Sequence, residues 1–143
     1  MGALNILLVD DDRNLVTTLS NGLRKAMGET ILVAVCFSGS EALSMLAIQR
    51  FDVVISDFNV PGVSGLELMN KIRQGSLETI LILTTAYGTD ALEEEVHRLG
   101  IGYITKPIGL SLLVQFIHDL IRDGTENAPR ILILDPKGKA GMP

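Results

Sequence analysis

Four short apolar runs in this chain each end on side chains that could carry out phosphoryl chemistry. These side chains are Asp10 and Asp11 after the first run, Asp57 after the second, Thr85 at the end of the third and Lys106 after the fourth. Clustered carboxylates repel one another unless a cation compensates them, and magnesium prefers oxygen ligands. The residue types therefore predict one site for a hard cation and a phosphoryl group.

The elements that would position these residues are strands that alternate with helices. The apolar runs alternate with stretches of helical periodicity, which predicts repeated βαβ units, with five strands and five helices by about Asp123. Since ligands bind at the carboxyl ends of strands in an open parallel sheet, the polar endings should converge. We expect helix N-caps at Asp12, Ser40 and Thr89, and a helix end at Gly100.

Composition limits the class of protein. A chain of 143 residues with 47% hydrophobic residues fits one domain, and no apolar run approaches the roughly 18 residues that a membrane span needs. We expect no secretory signal at the N-terminus. The single Cys36 lies in an apolar run, which is typical of a buried thiol and suits a reducing cytoplasm. A net charge of −5 without a basic stripe argues against direct nucleic-acid binding.

The residue types suggest individual roles. With a divalent cation present, a carboxylate can attack phosphorus, and Asp57 is the best candidate because it stands alone at a strand end before a loop with Pro61 and Gly62. Asp10 and Asp11 would hold the cation, Lys106 would pair with phosphoryl oxygens, and Thr85 would donate to another oxygen. Each residue alone has an ordinary alternative as a cap, a strand residue or a surface charge. Because four strand ends carry complementary groups in an order that suits one site, the phosphoryl site is favoured over these separate alternatives.

Four motifs in this order resemble the receiver domain of two-component response regulators, of the chemotaxis-regulator type. The motifs are LVDDD at 8–12, DFNVPG at 57–62, LTTAYG at 83–88 and YITKP at 103–107. The resemblance covers about residues 4–122. It implies an α/β fold of the flavodoxin-like kind, with a doubly wound five-stranded parallel sheet of order 2-1-3-4-5 and five helices.

The resemblance also implies a function. A sensor histidine kinase or phosphotransfer protein would phosphorylate Asp57 in a reaction that needs Mg²⁺, for which Mn²⁺ could substitute, and the Lys106–Pro107 bond would be cis. By the same resemblance, the site residues are Asp57 as phosphoacceptor, Asp10, Asp11, Asp57 and the backbone carbonyl of Asn59 as metal ligands, Lys106 as phosphate partner, Thr85 and Tyr103 as switch residues, and Asn59 and Tyr87 as residues that influence phosphoryl lifetime.

The hypothesis for the output is a conformational change on the face formed by the fourth helix, fifth strand and fifth helix. Apolar residues cover much of the last helix, which suggests a phosphorylation-dependent homodimer or a downstream effector as partner. Such a domain is not an enzyme beyond self-phosphorylation from small donors and autodephosphorylation.

Two other functions are compatible with part of this pattern. A phosphohydrolase of the haloacid dehalogenase type also uses an Asp-x-Asp pattern, which residues 10–12 meet, but the Gly-Thr turn that such enzymes place next is missing. A receiver-like binding module that is never phosphorylated is the second alternative, and such modules typically lack part of the site.

The C-terminal segment stands apart from the predicted domain, which covers 1–123. Residues 124–143 are interpreted as a linker and short tail, with a further strand and turn over 130–136. The tail either adds to the sheet, packs against a partner or begins a second domain, and the sequence leaves these alternatives open.

Overall fold

The computed structural model describes residues 2–125, 133–134 and 140–141. The strands are β1 (Leu4–Val9), β2 (Ile31–Cys36), β3 (Val53–Asp57), β4 (Ile80–Thr85), β5 (Gly102–Thr105), β6 (Ile133–Leu134) and β7 (Ala140–Gly141). The helices are α1 (Arg13–Met27), α2 (Gly39–Ile48), α3 (Gly65–Gly75), α4 (Asp90–Leu99) and α5 (Leu110–Asp123), with a 3₁₀ turn over Gly28–Thr30.

The first five strands form a parallel sheet in the order β2-β1-β3-β4-β5. The register aligns their carboxyl ends, because Val9 lies opposite Ser56, Asp57 opposite Thr84, and Thr85 opposite Thr105. The predicted flavodoxin-like α/β fold is confirmed, and the polar endings of β1, β3, β4 and β5 lie at one edge of the sheet.

Two hydrophobic cores lie on the two faces of the sheet. Successive strand residues point to opposite faces, so Ile6 and Leu8 of β1 contribute to the core under α1 and α5, whereas Leu7 and Val9 contribute to the core under α2, α3 and α4. A parallel sheet covered on both faces needs strands that are apolar throughout, which explains the continuous apolar runs of the sequence.

Helices α1, α2 and α4 each follow a residue whose side chain accepts a hydrogen bond from a backbone N–H of the first turn. The Asp12 carboxylate accepts a hydrogen bond from Leu15 N at the start of α1, and the Thr89 hydroxyl accepts one from Leu92 N at the start of α4. Both confirm the predicted N-caps, and Gly100 ends α4 in the left-handed conformation as expected. The N-cap of α2 is Ser38, whose hydroxyl accepts from Glu41 N, so the prediction of Ser40 was wrong.

Two short strands follow the five-stranded core. β6 pairs with β5 in parallel, and β7 pairs with β6 in the antiparallel direction. The predicted strand over 130–136 therefore lies partly within β6, while 130–132 and 135–136 lie outside the described residues. Among the helices of the described ranges, none combines the length and the apolar content that a membrane crossing requires.

Candidate functional site

Three carboxylates meet at the carboxyl edge of the sheet. Asp10 follows β1 and Asp57 ends β3, and the parallel register of these neighbouring strands places the two side by side. One carboxylate oxygen from each of Asp10, Asp11 and Asp57 lies within 4.8 Å of the others. Asp10 and Asp57 are buried and Asp11 is exposed, so the cluster opens to solvent on one side.

The ammonium group of Lys106 lies between the two buried carboxylates. Its Nζ is 3.0 Å from Asp10 Oδ2 and 3.3 Å from Asp57 Oδ1. The Lys106 backbone N–H donates to the Thr85 carbonyl at 2.7 Å, which ties the segment after β5 to the end of β4. The Lys106–Pro107 peptide is cis, as the family resemblance implies. The lysine, the carboxylates that could hold a metal ion and the candidate phosphoacceptor therefore lie in one cluster.

The electrostatics of the pocket disfavour the ionised form of Asp57. Burial raises the pKa of Asp57 above its usual 3.8, and the Asp10 charge raises it further, against opposing effects from Lys106 and the Asn59 backbone N–H. For Lys106, burial alone would lower the pKa, but the hydrogen bond to Asp10 and the charges of Asp10 and Asp57 outweigh it and raise the pKa. The lysine is therefore held as a cation.

The charge and the donor atoms of the pocket fit a divalent cation. Asp10, Asp11 and Asp57 supply three negative charges when ionised, of which Lys106 compensates one. Carboxylate oxygens converging on one point are the ligands that Mg²⁺ prefers, in a shell that keeps several waters. Asn59 is exposed, and the participation of its backbone carbonyl as a metal ligand stays a prediction.

The Thr85 hydroxyl forms hydrogen bonds with the backbone of the loop that follows β4. It accepts a hydrogen bond from Tyr87 N at 3.2 Å and donates one to Tyr87 O at 3.1 Å. This local turn is common for a threonine at a strand end. Tyr87 itself is 85% exposed. Its predicted influence on phosphoryl lifetime, like that of Asn59, stays a prediction.

Tyr103 lies inward, on the face of the sheet that α4 covers. It is 1% exposed, and its hydroxyl has no hydrogen-bond partner among the described residues. Burial raises the pKa of the Tyr103 phenol, and the charge of Glu93 raises it further. The Thr105 side chain acts in the opposite direction and lowers this pKa, but it does not form a hydrogen bond of normal geometry with the Tyr103 hydroxyl. Tyr103 is therefore fully buried, with its ring in the core under α2, α3 and α4.

Two glycines that the sequence motifs did not single out as functional shape the site. A Cβ at Gly65 would overlap the backbone carbonyl oxygen of Asp57, and one at Gly88 would overlap the Tyr103 hydroxyl. Gly65 begins α3, where glycine is a poor helix former compared with alanine. That mismatch is a signal in the sequence, whereas the contact between Gly88 and Tyr103 is visible only in three dimensions.

The fold and the site define a class of doubly wound α/β domain that carries an acidic pocket at the switch point of its sheet. The sequence model of the family described as "Response regulator receiver domain" matches residues 6–118. The chain belongs to this family. Receiver domains are regulatory phosphoacceptor domains of two-component signalling, which act with histidine kinases and effector domains and typically bind Mg²⁺ through acidic residues.

The chain is also similar to individual proteins. The cell cycle response regulator CtrA of Brucella ovis is 28% identical over 133 residues, which cover 90% of this chain and 55% of CtrA. The chain thus spans about half the length of the curated relatives it matches. A CheY-like receiver domain from Methanospirillum hungatei has a TM-score of 0.78 at 24% identity, covering 87% of this chain and 98% of that chain. Chemotaxis regulator CheY4 of Vibrio cholerae has a TM-score of 0.72 at 26% identity, with 82% and 98% covered.

Proposed function

We propose that this domain is a signalling switch in which Asp57 accepts a phosphoryl group from a histidine kinase or phosphotransfer protein in the cytoplasm. The observation that carries the proposal is the position of Lys106, 3.3 Å from Asp57 at the mouth of a three-carboxylate cluster. An ammonium group placed there can compensate the charge of an incoming phosphoryl group.

The chemical step is a phosphoryl transfer. A carboxylate oxygen of Asp57 attacks phosphorus, the new O–P bond forms as the P–N bond of the donor phosphohistidine breaks, and the leaving imidazole takes up a proton from solvent. Lys106 can follow the phosphoryl oxygens because its ammonium already lies beside Asp57 Oδ1. The chain itself then holds the product as an acyl phosphate.

Asp10, Asp11 and Asp57 would hold Mg²⁺, with the Asn59 carbonyl as a further ligand. When bound, the ion offsets the negative charge of the carboxylates and of the phosphoryl oxygens. Asp10 is prepared for this role, because its Oδ1 accepts from Asp12 N at 2.9 Å while its Oδ2 contacts Lys106. The backbone contact holds the carboxylate in place if the lysine moves away.

The response of the protein begins at Thr85. Turning its hydroxyl towards a phosphoryl group on Asp57 breaks both hydrogen bonds to Tyr87 and leaves space near the end of β4. Tyr103, whose hydroxyl is unpartnered among the described residues, can use that space. The α4-β5-α5 face then changes its packing and presents a different surface to a second copy or an effector.

Phosphorylation by a small donor tests the proposal. Incubation with acetyl phosphate and Mg²⁺ should add one labile phosphoryl group, detected by intact-protein mass spectrometry and lost in Asp57→Asn. Asp12→Asn is a matched control, since Asp12 caps α1 and lies outside the cluster. Repeated turnover of the donor without a stable adduct would favour the phosphohydrolase. No reaction at all would favour a module that is never phosphorylated.

A further inference from the structure

A groove at the amino end of the sheet exposes apolar side chains to solvent. This α2–α3 groove has a volume of about 900 Å³ and is lined by the second half of α2, the end of α3 and the segments that lead from them to β3 and β4. Ile48, at the end of α2, is 87% exposed, and Leu77, before β4, is 70% exposed. Apart from Tyr87, these are the most exposed large apolar residues in the described part of the chain. Because both line one groove, they form a patch rather than single scattered exposures.

The floor of the α2–α3 groove belongs to the hydrophobic core. Phe51 and Ile72 line the groove, are buried, and contribute to the core under α2, α3 and α4. The apolar lining thus continues from the core outwards to Ile48 and Leu77. Covering these two side chains with a partner removes apolar surface from water, which is favourable.

Charged residues of both signs stand beside the apolar ones. Arg50 Nη2 lies 3.4 Å from Glu78 Oε2, and both side chains are exposed. Of the described residues that line the groove, Arg50 and Lys71 are cationic and Glu78 is anionic. Because an exposed ion pair contributes little to the stability of its own chain, exchanging it for a pair across an interface costs little.

These charges favour a second copy of this chain as the occupant of the groove. In a two-fold symmetric dimer the same patch faces itself, so any contact from one residue to another occurs twice. A patch with Arg50 beside Glu78 satisfies that symmetry, because the cation of each copy can face the anion of the other. The whole chain carries a net charge of −5, so two copies repel each other on average. The groove, with its two cations and one anion, avoids that repulsion.

The α2–α3 groove lies at the opposite end of the sheet from the carboxylate cluster. Its lining includes Phe51 and Thr79, which precede β3 and β4, whereas Asp57 and Thr85 end those strands. A contact at the groove therefore leaves Asp57 open to a phosphodonor. Its lining residues belong to neither α4 nor α5, so the groove is also separate from the α4-β5-α5 face.

We propose that the α2–α3 groove is the interface of a two-fold symmetric homodimer that forms in the unphosphorylated protein. Ile48 and Leu77 of each copy are buried against the groove of the other, and Arg50 of one copy pairs with Glu78 of the other. Burial of the apolar side chains provides the affinity, and the charge pairs fix the relative orientation of the copies. The proposed dimer does not depend on the phosphorylation of Asp57.

Sedimentation velocity of the full chain over a concentration series, without Mg²⁺ or a phosphodonor, tests the proposal. A species of twice the mass should appear with a Kd in the micromolar range. Ile48→Lys and Leu77→Lys should each weaken the dimer about tenfold or more, although both make the chain less acidic and so reduce the general repulsion between copies. A chain that stays monomeric at about 1 mM overturns the proposal, since the groove would then not serve a second copy.

Leu112→Lys is the matched control for these two variants. Leu112 is an exposed apolar residue of α5, and its replacement by lysine makes the same change of charge outside the groove. The Kd of this variant should stay within about twofold of the Kd of the parent. A dimer that Leu112→Lys weakens as much as Ile48→Lys does overturns the proposal.

Charge reversal tests the symmetry of the contact. Arg50→Glu places acids at both positions of the pair and Glu78→Arg places cations at both, so each single variant should weaken the dimer about fivefold. The double variant restores opposite charges and should return the Kd to within about twofold of the parent. Far-UV circular dichroism checks that these exposed substitutions leave the fold intact. Single variants that dimerise as tightly as the parent, or a double variant no tighter than the single ones, overturn the proposal.

Beryllium fluoride with Mg²⁺ separates this dimer from one that depends on phosphorylation. Because the groove lies apart from the carboxylate cluster, the dimer should already be present before the mimic is added. A dimer that appears only after the addition, and that Leu112→Lys abolishes, uses the α4-β5-α5 face and overturns the proposal.

Discussion

The two ends of the sheet differ in how well their polar groups are paired. At the amino end, the Arg73 guanidinium donates to the backbone carbonyls of Ser76, Thr79, Leu99 and Gly100, which precede β4 and β5. Asp52, before β3, accepts from Asn5 N at 2.8 Å. At the carboxyl end, by contrast, buried like charges face one another and the Tyr103 hydroxyl has no partner among the described residues.

This difference indicates that the amino end stabilises the folded state, whereas the carboxyl end destabilises it. Hydrogen bonds that satisfy part-buried carbonyls lower the free energy of the folded state, and at the amino end Arg73 provides them before two strands, β4 and β5. Crowded carboxylates raise that free energy unless a cation arrives. Because the charges of the carboxyl end are poorly compensated, we expect this end to respond to ions and phosphoryl groups.

The largest effect is expected at the amino end. Arg73→Met should lower the free energy of unfolding by about 3 kcal/mol, because several part-buried carbonyls lose their donor together. Urea denaturation measures the loss. Arg24→Met is the control, since Arg24 donates to a single backbone carbonyl, Val33 O, in an exposed position. A loss for Arg73→Met no larger than for Arg24→Met would contradict the stabilising role of the amino end.

Removing the cation of the carboxyl end comes next. Lys106→Met should lower the free energy of unfolding by about 2 kcal/mol without Mg²⁺, because Asp10 and Asp57 then lack their counter-charge. Saturating Mg²⁺ should reduce this loss by binding the folded state. The exposed Lys71 provides the control variant Lys71→Met. If Mg²⁺ leaves the loss unchanged, the compensation argument is wrong.

Removing one of the crowded carboxylates should have the opposite sign. Asp57→Asn should raise the free energy of unfolding by roughly 1 kcal/mol at neutral pH without metal. Because the folded-state pKa of Asp57 is raised, the ionised carboxylate destabilises the fold above that pKa. The gain should disappear as the pH falls below 3.8, where both states carry the proton. Denaturation across this pH range checks it, and a gain that grows at low pH would contradict the sign.

The smallest effect concerns the phenol. Tyr103→Phe keeps the ring and removes the unpartnered hydroxyl, so the free energy of unfolding should rise by a few tenths of a kcal/mol. Thermal unfolding followed by circular dichroism measures this change. A clear loss of stability would show that the hydroxyl has a hydrogen-bond partner in solution. The carboxyl end would then differ less from the amino end in how well its polar groups are paired.

The fold and the pocket could be predicted because they depend on order along the chain. Parallel strands must point the same way, so Asp10, Asp57, Thr85 and Lys106 converge once β1, β3, β4 and β5 are recognised. The start of α2 depends on a choice between two serines two residues apart. The spacing Ser38-x-x-Glu41 is the capping-box pattern, which favours Ser38 over Ser40 as the N-cap.

Contacts between side chains were harder to predict. The sequence suggests that Lys106 pairs with phosphoryl oxygens, but it does not reveal that the lysine pairs with Asp10 and Asp57 beforehand. Nor does it show that Tyr103 lies inward against Gly88, fifteen positions earlier in the chain. Such contacts follow from the packing of loops on strands, which no local periodicity encodes.

The double hydrogen bond between the Thr85 hydroxyl and Tyr87 has a consequence for kinetics. One oxygen atom holds both the N–H and the C=O of the same residue, so a rotation about a single side-chain bond releases both together. Intermediate positions would satisfy neither group, which makes them short-lived. The loop should therefore exchange between two discrete arrangements on the microsecond-to-millisecond timescale, and the Tyr87 amide is the nucleus whose relaxation dispersion would report that rate.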